Sequence, residues 1–278
     1  MRITFSTGTF YHRRLPYSLQ LARDLGFDGV ELVLGWDYML SGLPAIERAA
    51  RRVGAPVLSV HPPLLPLPGW PRNVRTRLER LADATRNLGA GVLVLHAPFL
   101  RGEDSPRAQA YTRLLEMTQR LAGPDVHICL ENNEYQKRSR RYLLDDLVAL
   151  VRFAQERGCG VTFDTCHAAA NGDDLLRCYE IVRPVLRNVH LSDLVWRDGG
   201  PRTHVLPGAG ELPLRPFLGA LARDGYDGLL TFEIHPAQVG LFGRRRHRRL
   251  LRGALDFVRE ALSAETATTA LQSGEVIA

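Results

Sequence analysis

The chain has 278 residues, of which 45% are hydrophobic and 24% are charged, and its formal net charge at neutral pH is +6. This length is close to that of one (β/α)8 barrel, and the composition is ordinary for a soluble globular protein. No apolar run approaches the ~20 residues that a membrane-spanning helix needs, and the N-terminal residues lack the pattern of a signal peptide. We therefore expect a cytoplasmic protein without a membrane partner.

The basic residues are mostly arginines, and the most concentrated basic run is Arg244–Arg249. Such a charge balance attracts nucleic acid or phosphorylated small molecules, but charge runs are most often solvated, so both interpretations of this run stay open. The four cysteines form no CxxC pair, which favours reduced and buried thiols over a disulfide framework. For Cys166, inside the run Asp164-Thr-Cys-His167, packing is favoured over metal ligation.

Short β-rich runs alternate with longer helical runs along the chain, which is the signature of repeated βα units. The predicted strands cover residues 2–6, 29–33, 56–61, 91–96, 127–131, 160–164, 185–190 and 229–233. The predicted helices cover residues 17–25, 44–53, 71–88, 106–121, 143–156, 174–182, 214–223 and 248–262. The sequence therefore predicts eight units of one strand and one helix each.

The strand runs are almost continuously apolar, as expected for parallel strands that are covered on both faces. Eight regular units favour a closed TIM barrel over an open doubly wound sheet, which usually has fewer strands. No linker divides the chain, so we predict one α/β domain over residues 1–262 with its active site at the C-terminal face. Residues 263–278 are small, polar and aperiodic, and are predicted to form a flexible tail.

Seven of the predicted strands carry an acidic residue or a histidine at the C-terminal end or, for Glu31, within the strand. These residues are Glu31, His61, His96, Glu131, Asp164, His190 and Glu233. A barrel gathers the ends of its strands into one mouth, so side chains that are far apart in sequence meet there. Independent capping of each strand would require the same coincidence seven times. We therefore expect a common site, in which Glu31 is the weakest member and a candidate to support another residue.

Glu131, Asp164, His190 and Glu233 offer three carboxylates and one imidazole. Gathered without a cation, such carboxylates would repel one another by several kcal/mol, even at an effective dielectric constant of about 20. A divalent ion removes that repulsion, and this ligand set suits Mn2+, Co2+, Mg2+ or Zn2+. The pattern therefore predicts a divalent metal site formed by these four residues, with the number of ions undecided.

Four motifs carry a resemblance to a known family: ICLENN at Glu131, TFDTCHA at Asp164, VHLSD at His190, and LPGAGELPL followed by LTFEIHP at Glu233. With these motifs the chain resembles the xylose isomerase-like TIM barrels, which contain sugar phosphate isomerases and epimerases and the abasic-site endonuclease family 2. The isomerase branch implies that Glu131 and Glu233 are also the catalytic acid and base. It implies an enediolate, stabilised by the metal, formed from a sugar, polyol or sugar phosphate.

The same resemblance implies other binding residues. His167 would hydrogen-bond the terminal oxygens of the substrate, and Arg197 or Arg202 would hold a hydroxyl or phosphate group. The remaining histidines, His61, His96 and His204, together with His167, are predicted to bind a second metal or the substrate. Asn132 and Asn133 are predicted to orient the metal-bound carboxylate of Glu131. The oligomeric state is undecided, and a homo-oligomer stays open.

The alternative function belongs to the endonuclease IV group, whose members use three zinc ions to hydrolyse phosphodiesters at abasic sites in DNA. The extra histidines and the basic charge fit that function, and DNA would then be the partner. Two departures weaken it: the chain reads EYQKR after ENN, and Pro-Arg-Thr precedes His204 where that group has an Asp-x-His pair. A metal-dependent dehydratase or hydrolase of a small metabolite, and a barrel that only senses a sugar or metal, are further alternatives.

Overall fold

Eight parallel strands close into a barrel, and helices surround it. The computed structural model describes residues 1–135 and 141–273. The strands are β1 (Arg2–Ser6), β2 (Gly29–Val33), β3 (Val57–His61), β4 (Val92–His96), β5 (His127–Glu131), β6 (Gly160–Asp164), β7 (Leu186–Leu191), β8 (Asp193–Arg197), β9 (Gly200–Val205) and β10 (Leu229–Phe232). Strand β10 pairs with both β1 and β7 and so closes the barrel, while β8 and β9 form a separate antiparallel hairpin. The predicted TIM barrel is confirmed.

The helices follow the strands and cover the outside of the barrel. They are α1 (Leu15–Leu25), α2 (Trp36–Val53), α3 (Val74–Asn87), α4 (Pro106–Ala122), α5 (Leu147–Glu156), α6 (Thr165–Ala170), α7 (Leu175–Val182), α8 (Leu214–Arg223), α9 (Pro236–Val239) and α10 (Arg244–Ser273). Short 3-10 helices cover Thr7–Phe10, Leu143–Asp145 and Arg183–Val185. Within the described ranges, no helix combines the length and the apolar character needed to cross a membrane.

Most predicted elements have their observed bounds within a residue or two, and the exceptions have local causes. Helix α2 starts at Trp36 rather than at residue 44, since a first helical segment precedes the non-helical Gly42. Helix α3 starts later than predicted because Asn73 caps it by accepting a hydrogen bond from the backbone of Thr76. The hairpin β8–β9 was not predicted at all.

The last helix differs most from its prediction. Helix α10 covers Arg244–Ser273, so it begins before residue 248 and extends past residue 262 into the segment predicted as a tail. Residues 274–278 of that segment lie outside the described residues. The division between barrel and tail at residue 262, and the flexibility of the tail, stay predictions.

The barrel interior changes from apolar to polar towards the C-terminal ends of the strands. An apolar cluster fills one part of it: Val92, Val94, Cys129 and Leu229. Above it, the hydroxyls of Thr4 and Thr231 lie 2.7 Å apart, and Thr231 donates to Asn188 Oδ1 at 2.8 Å. Because side chains alternate along a strand, Thr231 and Asn188 share the inner face with Glu233 and His190, two residues further on. A buried polar layer thus lies directly beneath the strand ends.

One buried carboxylate fixes the loop that follows the hairpin. Asp193 is 1% exposed and accepts hydrogen bonds from the backbone N–H groups of Leu194, Gly208, Gly210 and Leu212, at 2.9 to 3.0 Å. Gly210 leaves the space for this contact, since a Cβ atom there would lie 2.3 Å from Asp193 Oδ1. The Asp of the VHLSD motif therefore holds the PGAGEL segment against strand β8.

We expect Asp193→Ala to lower the free energy of unfolding by about 2–4 kcal/mol, because it leaves several buried N–H groups without an acceptor. Urea unfolding monitored by circular dichroism measures this loss. The matched control is Asp198→Ala, since Asp198 is exposed at the tip of the hairpin. Equal stability of the two variants would contradict the anchoring role of Asp193.

Candidate active site

The structure brings the ionisable residues at the strand ends together at the C-terminal mouth of the barrel. Three groups of side chains have ligand atoms within 4.8 Å of one another and could each hold a metal ion. The groups are Glu131, Asp164, His190 and Glu233; His61, His96 and Glu131; and Asp164, Cys166, His167 and His204. Glu131 and Asp164 each belong to two groups, so the three groups form one continuous cluster.

His190 lies at the centre of the first group and is completely buried. Its Nδ1 atom lies 3.2 Å from Glu131 Oε1 and 2.9 Å from Glu233 Oε2, while its Nε2 atom lies 3.0 Å from Glu31 Oε2. Glu31 Oε2 also accepts a hydrogen bond from Ser59 Oγ at 3.1 Å. Glu31 therefore fixes the orientation of the imidazole from behind and turns Nδ1 towards the other carboxylates.

Each of the other three carboxylates has a buried oxygen without a hydrogen bond, namely Glu131 Oε2, Asp164 Oδ2 and Glu233 Oε2. Of these, Glu233 Oε2 is ion-paired with His190 Nδ1 at 2.9 Å. Asp164 uses its other oxygen to cap helix α6, accepting from His167 N at 2.7 Å. Buried polar atoms are normally satisfied, because leaving one without a partner costs about 1–3 kcal/mol. Three carboxylates with unsatisfied oxygens that converge with one imidazole within 4.8 Å fit a bound divalent cation.

The charges in the first group are tightly linked. Burial lowers the pKa of His190, but the carboxylates of Glu31, Glu233 and Glu131 outweigh burial and raise that pKa well above its ordinary value. Burial raises the pKa of Glu131, and the charges of His190 and His96 outweigh it, so this pKa is lowered well below its ordinary value. The pKa of Glu233 is lowered too: burial raises it, and the charge of His190 outweighs that effect. Positive charge is therefore needed to keep the carboxylates ionised here.

The second group places two imidazoles against one oxygen of Glu131. Both His61 Nε2 and His96 Nε2 lie 3.6 Å from Glu131 Oε2. His61 is fully buried, and its Nδ1 atom lies 2.7 Å from the carbonyl oxygen of Pro62, which leaves Nε2 without a hydrogen-bond partner. His96 is about half exposed at the mouth, with 49% of its side chain accessible. The group is thus open to a small ligand on the side of His96.

The third group lies on the side of the hairpin. His167 Nδ1 lies 3.0 Å from the carbonyl oxygen of Asn132, and the rings of His167 and His204 meet edge to face at 5.3 Å. Burial lowers the pKa of His167, but Asp164 and Glu131 outweigh it and raise the pKa to about 9. His204 has φ of 52°, in the left-handed region that side chains rarely adopt. The hairpin thus holds His204 in a strained conformation that directs its ring towards the cluster.

Cys166 is completely buried and packs in a small cluster with Ala169, Ala170 and Leu194. Burial raises the pKa of its thiol well above the ordinary value, so the reactive thiolate is disfavoured. This environment agrees with the predicted packing role, although its sulphur also lies within reach of the third group.

The two arginines that sequence reasoning assigned to substrate binding lie on the hairpin. Arg197 is exposed at the end of β8. Arg202 on β9 donates a hydrogen bond from Nε to the side-chain oxygen of Gln238, at 2.8 Å. Neither guanidinium forms an ion pair with the cluster in the described ranges. Their role in substrate binding stays a prediction.

The basic run at the start of helix α10 has a structural partner. Arg244 and Arg248 form ion pairs with Asp24 at 3.1 and 2.9 Å, next to the C-terminal end of helix α1. Hydrogen bonds to Gln20 and Arg244 outweigh burial and lower the pKa of Asp24. Part of the run therefore joins the last helix to the first, and only the rest is left for other contacts.

Two expectations about the surrounding residues need correction. Asn132 does not bind the carboxylate of Glu131; its amide spans the backbone of Asp164, accepting from N at 2.7 Å and donating to O at 3.1 Å. Asn133 donates to the carbonyl oxygen of Ala97. Sequence reasoning also missed Ser59, which hydrogen-bonds Glu31. Its position two residues before His61 on the same strand was the available signal, because it places both side chains on the inner face.

Comparison with known proteins agrees with this geometry. The family model described as xylose isomerase-like TIM barrel matches residues 19–261. An uncharacterized protein of Mycobacterium leprae is 28% identical over 263 residues, which cover 86% of this chain and 90% of that protein. Fructoselysine 3-epimerase of Escherichia coli O157:H7 is 24% identical over 82% of this chain and 90% of its own length.

Among solved structures, one described as a D-tagatose 3-epimerase-like protein superposes with a TM-score of 0.72 at 19% identity. The match covers 97% of this chain and all of that one. At this level of identity the likeness shows the fold, and the family match over most of the chain shows the membership. The chain belongs to the family of xylose isomerase-like TIM barrels.

Proposed function

We propose that the protein is a divalent-metal-dependent isomerase or epimerase of a sugar, polyol or sugar phosphate. The observation that carries this proposal is the convergence of ligand atoms from Glu131, Asp164, His190 and Glu233, which all lie within 4.8 Å of one another. Relatives named as sugar epimerases support it. A role in binding without catalysis is disfavoured, because a sensor protein needs no pair of buried glutamates beside its ligand.

Glu131, Asp164, His190 and Glu233 would hold the ion, for which Mn2+, Co2+, Mg2+ and Zn2+ are candidates. Such an ion neutralises the carboxylates and polarises the oxygens of a bound carbonyl and its neighbouring hydroxyl. Glu31 would keep His190 Nδ1 directed at the ion through its hydrogen bond to Nε2. Within the described residues, the donor set of oxygens and one nitrogen therefore matches the proposed cofactor.

Glu131 and Glu233 would transfer the protons. An ionised carboxylate is the form that removes a proton from carbon, and positive charge at the centre of the site favours that form for both glutamates. In each turnover one of them would be ionised and take the proton next to the carbonyl, while the other would be protonated and give its proton to the opposite face or to the neighbouring oxygen. Burial of Glu131 keeps water away from the proton that it holds, while Glu233 is 13% exposed and faces the mouth.

His167 and His204 would orient the substrate. His167 Nδ1 is engaged by the Asn132 carbonyl, so Nε2 is the nitrogen that remains for a substrate oxygen. His204 lies beside Glu233, with Nδ1 3.3 Å from the Glu233 carbonyl oxygen. A pair of imidazoles on one side of the cluster would bind the hydroxyls of a sugar by hydrogen bonds and so fix which carbon faces the two glutamates.

We expect about one Mn2+, Co2+, Mg2+ or Zn2+ ion per chain in protein purified without chelators or a histidine tag, measured by elemental mass spectrometry. After removal of the ion, Mn2+ titrated by calorimetry should bind wild type, and Asp164→Asn should weaken binding by about tenfold or more. The exposed Asp198→Asn is the control. Unchanged affinity of Asp164→Asn would contradict the assignment of the ligands.

We expect Glu233→Gln to lower turnover by at least ~10²-fold while the fold is retained, because the amide cannot accept the substrate proton. Turnover is measured as the incorporation of solvent deuterium into a panel of ketoses and aldoses, detected by NMR. Glu260→Gln, an exposed substitution on helix α10, is the matched control. A Glu233→Gln variant that keeps substantial activity would refute the acid and base assignment.

A second candidate function rests on a separate observation, the convergence of His61, His96 and Glu131 beside the first group. In this alternative the protein is an endonuclease IV-like zinc phosphodiesterase acting at abasic sites in DNA, with His167 and His204 at a third ion. Arg202 stands two residues before His204, where that group has an aspartate, so a carboxylate ligand is missing there. The loop after ENN is the other departure, and its residues 136–140 lie outside the described ranges.

Dehydration of a small metabolite is chemically closer to the proposed reaction than phosphodiester hydrolysis is, because dehydration starts with the same removal of a proton.

We expect zinc-loaded protein to nick a fluorescent DNA duplex that contains one abasic site no more than the same protein does in an EDTA control. Gel electrophoresis resolves the nicked strand. Nicking that requires zinc and is lost in His61→Ala would favour the phosphodiesterase, as would two or three zinc ions per chain.

A further inference from the structure

A cavity of about 310 Å³ lies at the same face of the barrel as the cluster, between the segments that follow strands β1, β2 and β3. Its size is at the lower end of the range for small-molecule sites, ~300–1,000 Å³. The walls are mostly apolar and include two aromatic side chains that are about half exposed, Tyr11 and Trp36. None of the residues predicted from the sequence to bind metal or substrate lines this cavity.

Two strands that carry residues of the site continue directly into the wall of the cavity. Glu31 and His61 lie on the strands β2 and β3, and Val33, Leu34 and Pro63, just beyond them in the chain, line the cavity. Gly8 lines the cavity beside Leu64, since a Cβ atom at this position would lie 2.8 Å from Leu64 Cδ1. The cavity thus lies on segments that directly follow strands carrying Glu31 and His61.

The cavity carries an uncompensated positive charge. Among its lining residues, Asp37 is the acidic one and Arg13 the basic one. Both oxygens of Asp37 are already engaged, by Arg14 Nε at 2.7 Å and by the backbone N–H of Leu15 at 2.8 Å. Arg13 forms no ion pair in the described ranges, and its buried Nε has no hydrogen-bond partner.

The guanidinium group of Arg13 lies against two aromatic rings, and its buried Nε makes no hydrogen bond. Its guanidinium carbon lies 5.0 Å from the ring centre of Tyr17 and 5.4 Å from that of Phe242. Stacking between two rings holds the guanidinium group in place without satisfying its N–H donors. The planar fork that remains is suited to a carboxylate, which can accept two parallel hydrogen bonds.

We propose that this cavity is a substrate subsite for an apolar, aromatic substituent that ends in a carboxylate bound by Arg13. This inference rests on the proposed sugar isomerase or epimerase function and narrows its substrate class. The reacting sugar part would lie at the cluster, and the substituent would extend from it past Gly8 between Tyr11 and Trp36. The substrate is then a substituted sugar or polyol rather than a free monosaccharide.

The test uses two small probes that differ only in charge, 3-phenylpropionate and its amide, and measures their dissociation constants with the purified protein by calorimetry. We expect wild type to bind the carboxylate at least about tenfold more tightly than the amide. Arg13→Met should abolish this preference, and Arg13→Lys should retain most of it. Arg177→Met, an exposed arginine on helix α7, is the matched control and should change nothing.

Equal binding of the two probes by wild type would overturn the inference, and so would a preference that survives Arg13→Met, since the carboxylate would then bind at the cluster. If Arg13→Met does not fold, Leu65→Asp replaces it: Leu65 lines the cavity and is 53% exposed, and a new negative charge there should weaken binding of the carboxylate alone. An unchanged preference in that variant also overturns the inference.

The same measurement separates this inference from the proposed function. Probe binding needs no turnover and should persist in Glu233→Gln. If the protein exchanges deuterium into free ketoses but does not prefer the carboxylate probe, the proposed subsite is wrong and the proposed isomerase function stands. If it prefers the carboxylate probe but exchanges deuterium into no sugar, substituted or free, the proposed function is wrong and the cavity is a binding site for aryl carboxylates.

Discussion

The repulsion among buried carboxylates is the constraint on which the mouth of the barrel depends. Glu31, Glu131, Asp164 and Glu233 surround His190, and one imidazolium balances only part of their charge. In an interior of low dielectric constant such an excess of negative charge costs several kcal/mol, unless protons or a cation offset it. The fold tolerates this cost at the mouth of the barrel, and under the proposed function a cation bound there would replace the proton on His190 as the balancing charge.

The surrounding structure holds the repelling groups in place by hydrogen bonds to the backbone. Asn132 spans the peptide of Asp164, and Thr165 donates to the carbonyl oxygen of Ser192 at 2.7 Å and accepts from its N–H at 3.1 Å. Asp193 then fixes the segment after the hairpin. Hydrogen bonds from residues outside the cluster thus hold the charged side chains in place, so that an ion would bind with little rearrangement.

The barrel and its cluster were predictable because both follow from short-range signals. Apolar runs with Gly turns predict parallel strands, and polar residues that end such runs must share one face of a closed barrel. The hairpin and the strained His204 were not predictable, since the run GPRTHV has little strand character and its conformation depends on contacts with α6 and the Glu233 backbone. The role of Asn132 was missed because its partner, the peptide of Asp164, belongs to the next strand.

The two sides of the mouth have different chemistry. The C-terminal ends of strands β3 to β10 contribute carboxylates and imidazoles, whereas the segments after β1 to β3 contribute aromatic and leucine side chains around Arg13. Binding energy from a part of the substrate that does not react can be used to place the reacting part. A fixed chemical cluster beside an apolar cavity lets specificity change with the cavity residues alone. The residues of the cluster can therefore stay the same while a barrel of this kind acquires a different substrate.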